Sequence, residues 1–145
     1  MTIPLLRVIS SAVVALVLLA TGCNNGPEIV PVSGQVFIDG KPLTHGFIQV
    51  APKGFRAASG KIGADGRFTL TTEQKGDGCL VGTHPVAIIA TESINPSSQR
   101  WHAPKKYQDF KTSNLTVSIT GPTDSLKIEL TWDGGKPFVQ HFEKE

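Results

Sequence analysis

The chain has 145 residues and 39% apolar side chains, enough for one ordinary domain with its own core and too few for two. Fourteen basic residues oppose twelve acidic ones, a formal charge of +2 in which Arg7 is the only charged contribution from the first 22 residues. That near balance, with lysines and arginines scattered along the chain, gives no argument for nucleic acid as a partner, and none is expected, while fifteen glycines and ten prolines without a collagen period point to a turn-rich β protein.

At the N-terminus, Arg7 precedes an apolar run from Val8 to Ala20 that is too short to span a membrane as a helix and has the charge and length of a secretory signal. Its end is sharper than hydrophobicity alone. Leu19-Ala20-Thr21-Gly22-Cys23 resembles a bacterial lipoprotein signal, with Ala20 where leucine is usual. The resemblance implies removal of residues 1–22 and acylation, palmitate included, of Cys23 as the new N-terminus. The small side chains of Thr21 and Gly22 admit a processing enzyme, and the Cys23 thiol supplies the nucleophile for a thioether to lipid. An ordinary signal peptide or an uncleaved apolar N-terminus is the competing assignment. Lipidation would leave Cys79 unpaired, and a Cys23–Cys79 disulfide is the alternative. Residues 23–31 are then a lipidated cysteine and short tether, and 32–145 the folded domain, held outside the cytoplasm on a bacterial membrane with membrane lipid as partner through Cys23.

Val32, Gly34, Val36 and Ile38 alternate with Ser33, Gln35 and Phe37, the period of a half-buried strand. Asp39-Gly40 suits a tight turn, and Pro42 limits the returning Lys41–Leu43 piece to a short or edge position. Gly46 to Val50 alternates again with Ile48 and Val50 inward, so Val32–Pro52 reads as a hairpin at the first edge of an antiparallel sheet. Asp65-Gly66 starts a strand with Phe68 and Leu70 inward. Gln74–Gly82 is a glycine-rich connector. Asp77-Gly78 lacks the ordered oxygen ligands of a calcium loop, and the connector lacks the lysine and hydroxyl of a phosphate-binding loop. Val86, Ile88 and Ala90, with Ala87 and Ile89 on the other face, mark a central strand after Pro85.

Glu92–Asp109 is the least regular stretch and the candidate functional loop. Arg100, Trp101 and Tyr107 within it have the chemistry to stack on and hydrogen-bond a carbohydrate, a peptide or another envelope protein; the alternative is that Trp101 or Tyr107 closes one end of the core. His84 reads as a side chain at the start of a strand. Metal binding would need His45, His84, His102 and His141 to converge, which no local motif supports, so neither metal nor cofactor is expected. Cys79 has no recognisable base beside it in sequence and reads as part of a packed edge.

Leu115–Ile119 and Leu126–Leu130 alternate and read as two short strands joined by a turn at Gly121-Pro122. Trp132 is placed to cap their core, and Phe138–Phe142 to add an edge strand. Six or seven strands with two apolar faces favour a closed sandwich, since a single sheet would leave apolar area in water.

The ordered pieces Val32-Ser33-Gly34-Gln35-Val36, Asp39-Gly40-Lys41-Pro42-Leu43, Asp65-Gly66-Arg67-Phe68, Gly82-Thr83-His84-Pro85-Val86 and Pro104-Lys105-Lys106-Tyr107 resemble small planctomycete-type lipoproteins with a carboxypeptidase regulatory-like domain. The resemblance covers roughly residues 30–131 and implies an all-β, seven-stranded antiparallel β-sandwich of transthyretin-like (prealbumin-like) type. It also implies a non-enzymatic structural or accessory role. No peptidase site carries over, because the chain has no zinc-ligand motif. A binding module for carbohydrate, peptide or an envelope protein through residues 92–109 is the alternative. A hydrolase would need His84 or His102 beside an acid and a nucleophile in an open cleft.

Overall fold

A computed structural model describes residues 26–143; the lipoprotein-like signal and Cys23 lie outside them. The strands in chain order are β1 (Ile29–Val30), β2 (Val32–Ile38), β3 (Lys41–Pro42), β4 (Gly46–Val50), β5 (Ala58–Ile62), β6 (Arg67–Thr69) and β7 (Cys79–Leu80). They continue with β8 (Gly82–Ile89), β9 (Thr91–Asn95), β10 (Ser98–Trp101), β11 (Leu115–Ile119), β12 (Thr123–Leu130) and β13 (Phe138–His141). One 3-10 turn over Lys105–Gln108 accompanies them. The described residues are thus all-β, thirteen strands in four hydrogen-bonded sheets.

Alternation decides which face of each strand is inside. Val32 and Val36 of β2, Ile48 and Val50 of β4, Phe68 beside Leu70 at β6, and Val86 and Ile88 of β8 are buried in one cluster, as expected. Burying a side chain of this size contributes about 1.5–3 kcal/mol each, and the cluster is the main favourable term of the fold. The Asp39-Gly40 turn has positive φ at both residues, 47° and 78°, the geometry a two-residue connection of twisted strands requires.

Two of the sheets form the body. One has the order β12-β2-β3 with β6 also on β2, the other β11-β8-β4-β5. They are joined at one side, where Ser59 and Thr71 exchange main-chain hydrogen bonds of 2.9 and 2.8 Å and Gly63 N donates to Arg67 O at 2.9 Å. The ladder therefore runs β12-β2-β6-β5-β4-β8-β11. β9, β10 and β13 make a separate three-stranded ribbon.

Pairing departs from the sequence expectation in several places. β2 is not an edge but lies between β12 and the β3 and β6 strands, and its pairing with β12 is parallel. Gly46–Val50 does not return along β2; it pairs with β5 and β8 in the facing sheet. β11 and β12 likewise pair with β8 and β2, in opposite sheets, rather than with each other. The first part of Glu92–Asp109, read as irregular, lies in the β9-β10 hairpin. Alternation reports the buried face of a strand and carries no information about its partner or direction.

Before β2, Ile29 and Val30 pair with Leu80 and Cys79, and Val81 N bonds Glu28 O at 2.9 Å, so these residues are part of the folded body. Gly34 explains how β12 fits against β2. A Cβ there would lie 1.9 Å from Leu126 O, at the point where the β2-β12 register shifts.

Candidate functional site

Three residues singled out in the sequence, Arg100, Trp101 and Tyr107, do not converge. Arg100 and Trp101 are neighbours on β10 and point to opposite faces of the ribbon, the first exposed and the second buried. The Trp101 indole donates from Nε1 to Gln140 Oε1 at 3.0 Å and stacks on Phe138 with ring centroids 6.1 Å apart. Lys105 Nζ sits 5.1 Å from the Trp101 ring and 5.7 Å from that of Phe138, so one cation is shared by both rings. Tyr107, in the 3-10 turn, buries its ring in the core and binds the main chain of Thr131. Trp101 and Tyr107 therefore anchor the ribbon and the 3-10 turn, which is the packing alternative.

Arg100 belongs to a different cluster. Its Nη1 is 3.6 Å from Glu92 Oε2, its cross-strand neighbour in the β9-β10 register. The same carboxylate oxygen accepts from His102 Nε2 at 2.9 Å. The His102 ring lies 5.2 Å from that of His45, whose Nε2 donates to Thr91 O at 3.1 Å. The hydrogen bond from His102, and after it the charges of His102, Arg100 and His45, hold the Glu92 carboxyl below the ordinary glutamate range. This cluster joins residues 45, 92, 100 and 102, and no sequence spacing announces it.

The remaining histidines stand apart from it. His84 is buried and donates from Nε2 to Leu80 O at 2.8 Å, and His141 is exposed on β13. Among the described residues, no group of three or more His, Cys, Asp or Glu side chains is placed to hold a metal ion. Cys79 has no disulfide partner among the described residues; its thiol is fully buried, and burial pushes its pKa up, the opposite of what a nucleophile needs.

Several clefts flank the body, two of them toward opposite ends of β2. One, of about 490 Å³, is lined by residues that include Asp39, Lys41, His102 and the half-buried Trp132. It opens at the Ile38 end of β2, beside the Glu92-His102 pair. The other, of about 820 Å³, lies toward the Val32 end and is lined by Ser33, Lys61, Arg67, Thr69, Thr71 and Lys75 among others. Sequence reading missed both, since each joins a local run, residues 38–44 or 67–76, to residues far away in the chain.

No family model, curated protein or solved structure matches this chain.

Proposed function

We propose that this chain is a non-enzymatic lipoprotein of a bacterial envelope, anchored by lipid on Cys23, with a structural or accessory role performed close to the membrane. The observation that carries the reading is the stapling of β1 onto β7, which ties the chain into the folded body at Ile29, six residues after the lipoprotein-like Cys23. A tether of that length keeps the body at the surface of its membrane. A transthyretin-like sandwich is the finer assignment of the fold, supported by the seven-strand ladder from β12 to β11. The burial of Trp101 and Tyr107 and the raised pKa of Cys79 favour a structural over a catalytic role.

Metabolic labelling with a fatty-acid analogue tests the anchor. The wild-type chain takes up label and fractionates with membranes, and Cys23→Ala loses the label and moves to the soluble fraction. Lipid label retained by Cys23→Ala would sink the proposal.

A binding role is favoured by one feature, the cleft in which Trp132 and His102 stand beside Asp39 and Lys41. An aromatic face with charged neighbours is the composition that suits an envelope polysaccharide or peptide. In this reading Arg100 acts only indirectly, by holding Glu92 against His102.

A further inference from the structure

We infer that the tether end of the domain seats the phosphate groups of anionic lipid headgroups, so that the body rests on the bilayer by charge as well as by its anchor. The inference rests on the lipid-anchored reading for the source of the phosphate, and on the geometry below for its chemistry.

Three cationic side chains from separate segments line the larger cleft: Lys61 on β5, Arg67 on β6 and Lys75 in the following loop. Strand register brings them together. Thr69 pairs with Ser33 on β2, while the Ser59-Thr71 bridge and the Gly63-Arg67 bond set Lys61 beside Thr69 on the other side. Arg67 and Thr69 are exposed and Phe68 between them is buried, so both face out into the cleft. The hydroxyls of Ser33, Thr69 and Thr71 line the same space. Lys75 is carried over it by a loop closed through Asp77, and Gly76 N donates to Thr71 Oγ1 at 3.0 Å.

Among the described residues, none of the three cations forms a salt bridge. Arg67 donates from Nη2 to Asp124 O at 3.1 Å, a main-chain oxygen that leaves its charge uncompensated. Asp65, next to the cleft, has one carboxylate oxygen bonded to Arg67 N at 3.0 Å. Uncompensated cations interleaved with hydroxyls are the donor set of a phosphate site.

Position selects the lipid. The cleft shares Ser33, Thr69 and Gly76 with a smaller groove that begins at Pro31, directly after β1. The β4-β5 loop emerges at this same end, because Val50 pairs with Val86 and Ala51 N bonds Pro85 O near the start of β8. That loop presents Lys53 and Arg56 around Phe55, a residue 44% exposed. From Cys23 to Glu28 the chain spans at most about 17 Å when extended. Each cation held at an anionic surface strengthens partition by about fivefold.

The test uses the full chain reconstituted in vesicles of phosphatidylcholine alone or mixed with phosphatidylglycerol, treated with an amine-acetylating reagent and read by peptide mass. Lys61 and Lys75 are expected to be protected severalfold by phosphatidylglycerol, with Lys105 and Lys136 at the opposite end unchanged. Arg67→Gln, an exposed position, weakens that protection without changing the melting temperature. Equal acetylation in both vesicles, or equal protection at Lys136, overturns the proposal. Protection by dissolved glycerol phosphate with none added by phosphatidylglycerol assigns the cleft to a free phosphate ester and overturns the lipid source. The same comparison on Cys23→Ala separates the two readings: a lost anchor with retained protection leaves the headgroup seat standing, and a retained anchor without protection removes it.

Discussion

The phenol of Tyr107 and the main chain of Thr131 satisfy each other in both directions: Thr131 N donates to the phenolic oxygen at 3.1 Å, and the hydroxyl donates to Thr131 O at 3.3 Å. The contact ties the 3-10 turn to the residue that follows β12. Tyr107→Phe keeps the ring and removes both bonds, and it is expected to cost about 1 kcal/mol. Thermal denaturation should show a fall of about 4 °C. An unchanged melting temperature would deny Tyr107 this clamping role.

Gly78 stands where β1 crosses the connector. Its φ is +100°, and a Cβ there would lie 1.7 Å from Val30 O and 2.7 Å from Pro31 Cα. Main chain cannot yield as the tip of a flexible side chain can, so Gly78→Ala should lift β1 from β7. The expected cost is about 2–4 kcal/mol, from backbone strain and overpacking together. Limited proteolysis near residues 26–31 should accelerate in the variant, and wild-type stability with wild-type cleavage would refute the staple.

Asp77 sets the acid side of stability. Its carboxylate accepts from Gln74 N at 2.9 Å, Thr72 N at 2.7 Å and Glu73 N at 3.0 Å. These bonds, that from Gln74 first, hold its pKa below the ordinary aspartate value of 3.8. The folded chain then binds fewer protons than the unfolded chain in this range. The stabilisation is complete above the ordinary value and is lost as pH falls through the lowered one. Denaturant titrations at a series of pH values should show a decline below pH 4 that is shallower in Asp77→Asn. A slope identical in the two proteins would show that the turn does not depend on the charge.

The buried faces of the central strands were legible one by one. Ile48, Val50, Phe68, Val86 and Ile88 are inside because strand geometry places every second residue on one face, and a short window of sequence is enough to see it. The functional loop was legible only as a location. Arg100 and Trp101 looked like one cluster because they are adjacent, yet adjacency on a strand is what sends them to opposite faces. Phe138, Gln140 and Lys105, which complete the surroundings of Trp101, arrive from another strand and from the 3-10 turn.

The sequence by itself determined an all-β chain, the inward face of each main strand and the turn at Asp39-Gly40, all properties of a few neighbouring residues. Only the tertiary structure decided that β2 pairs with β12 in parallel, that β4 leaves for the facing sheet, and that Lys61, Arg67 and Lys75 share one cleft. Those outcomes depend on which strand edges meet across tens of residues. Main-chain hydrogen bonds settle such meetings, and every residue but proline offers them the same donor and acceptor.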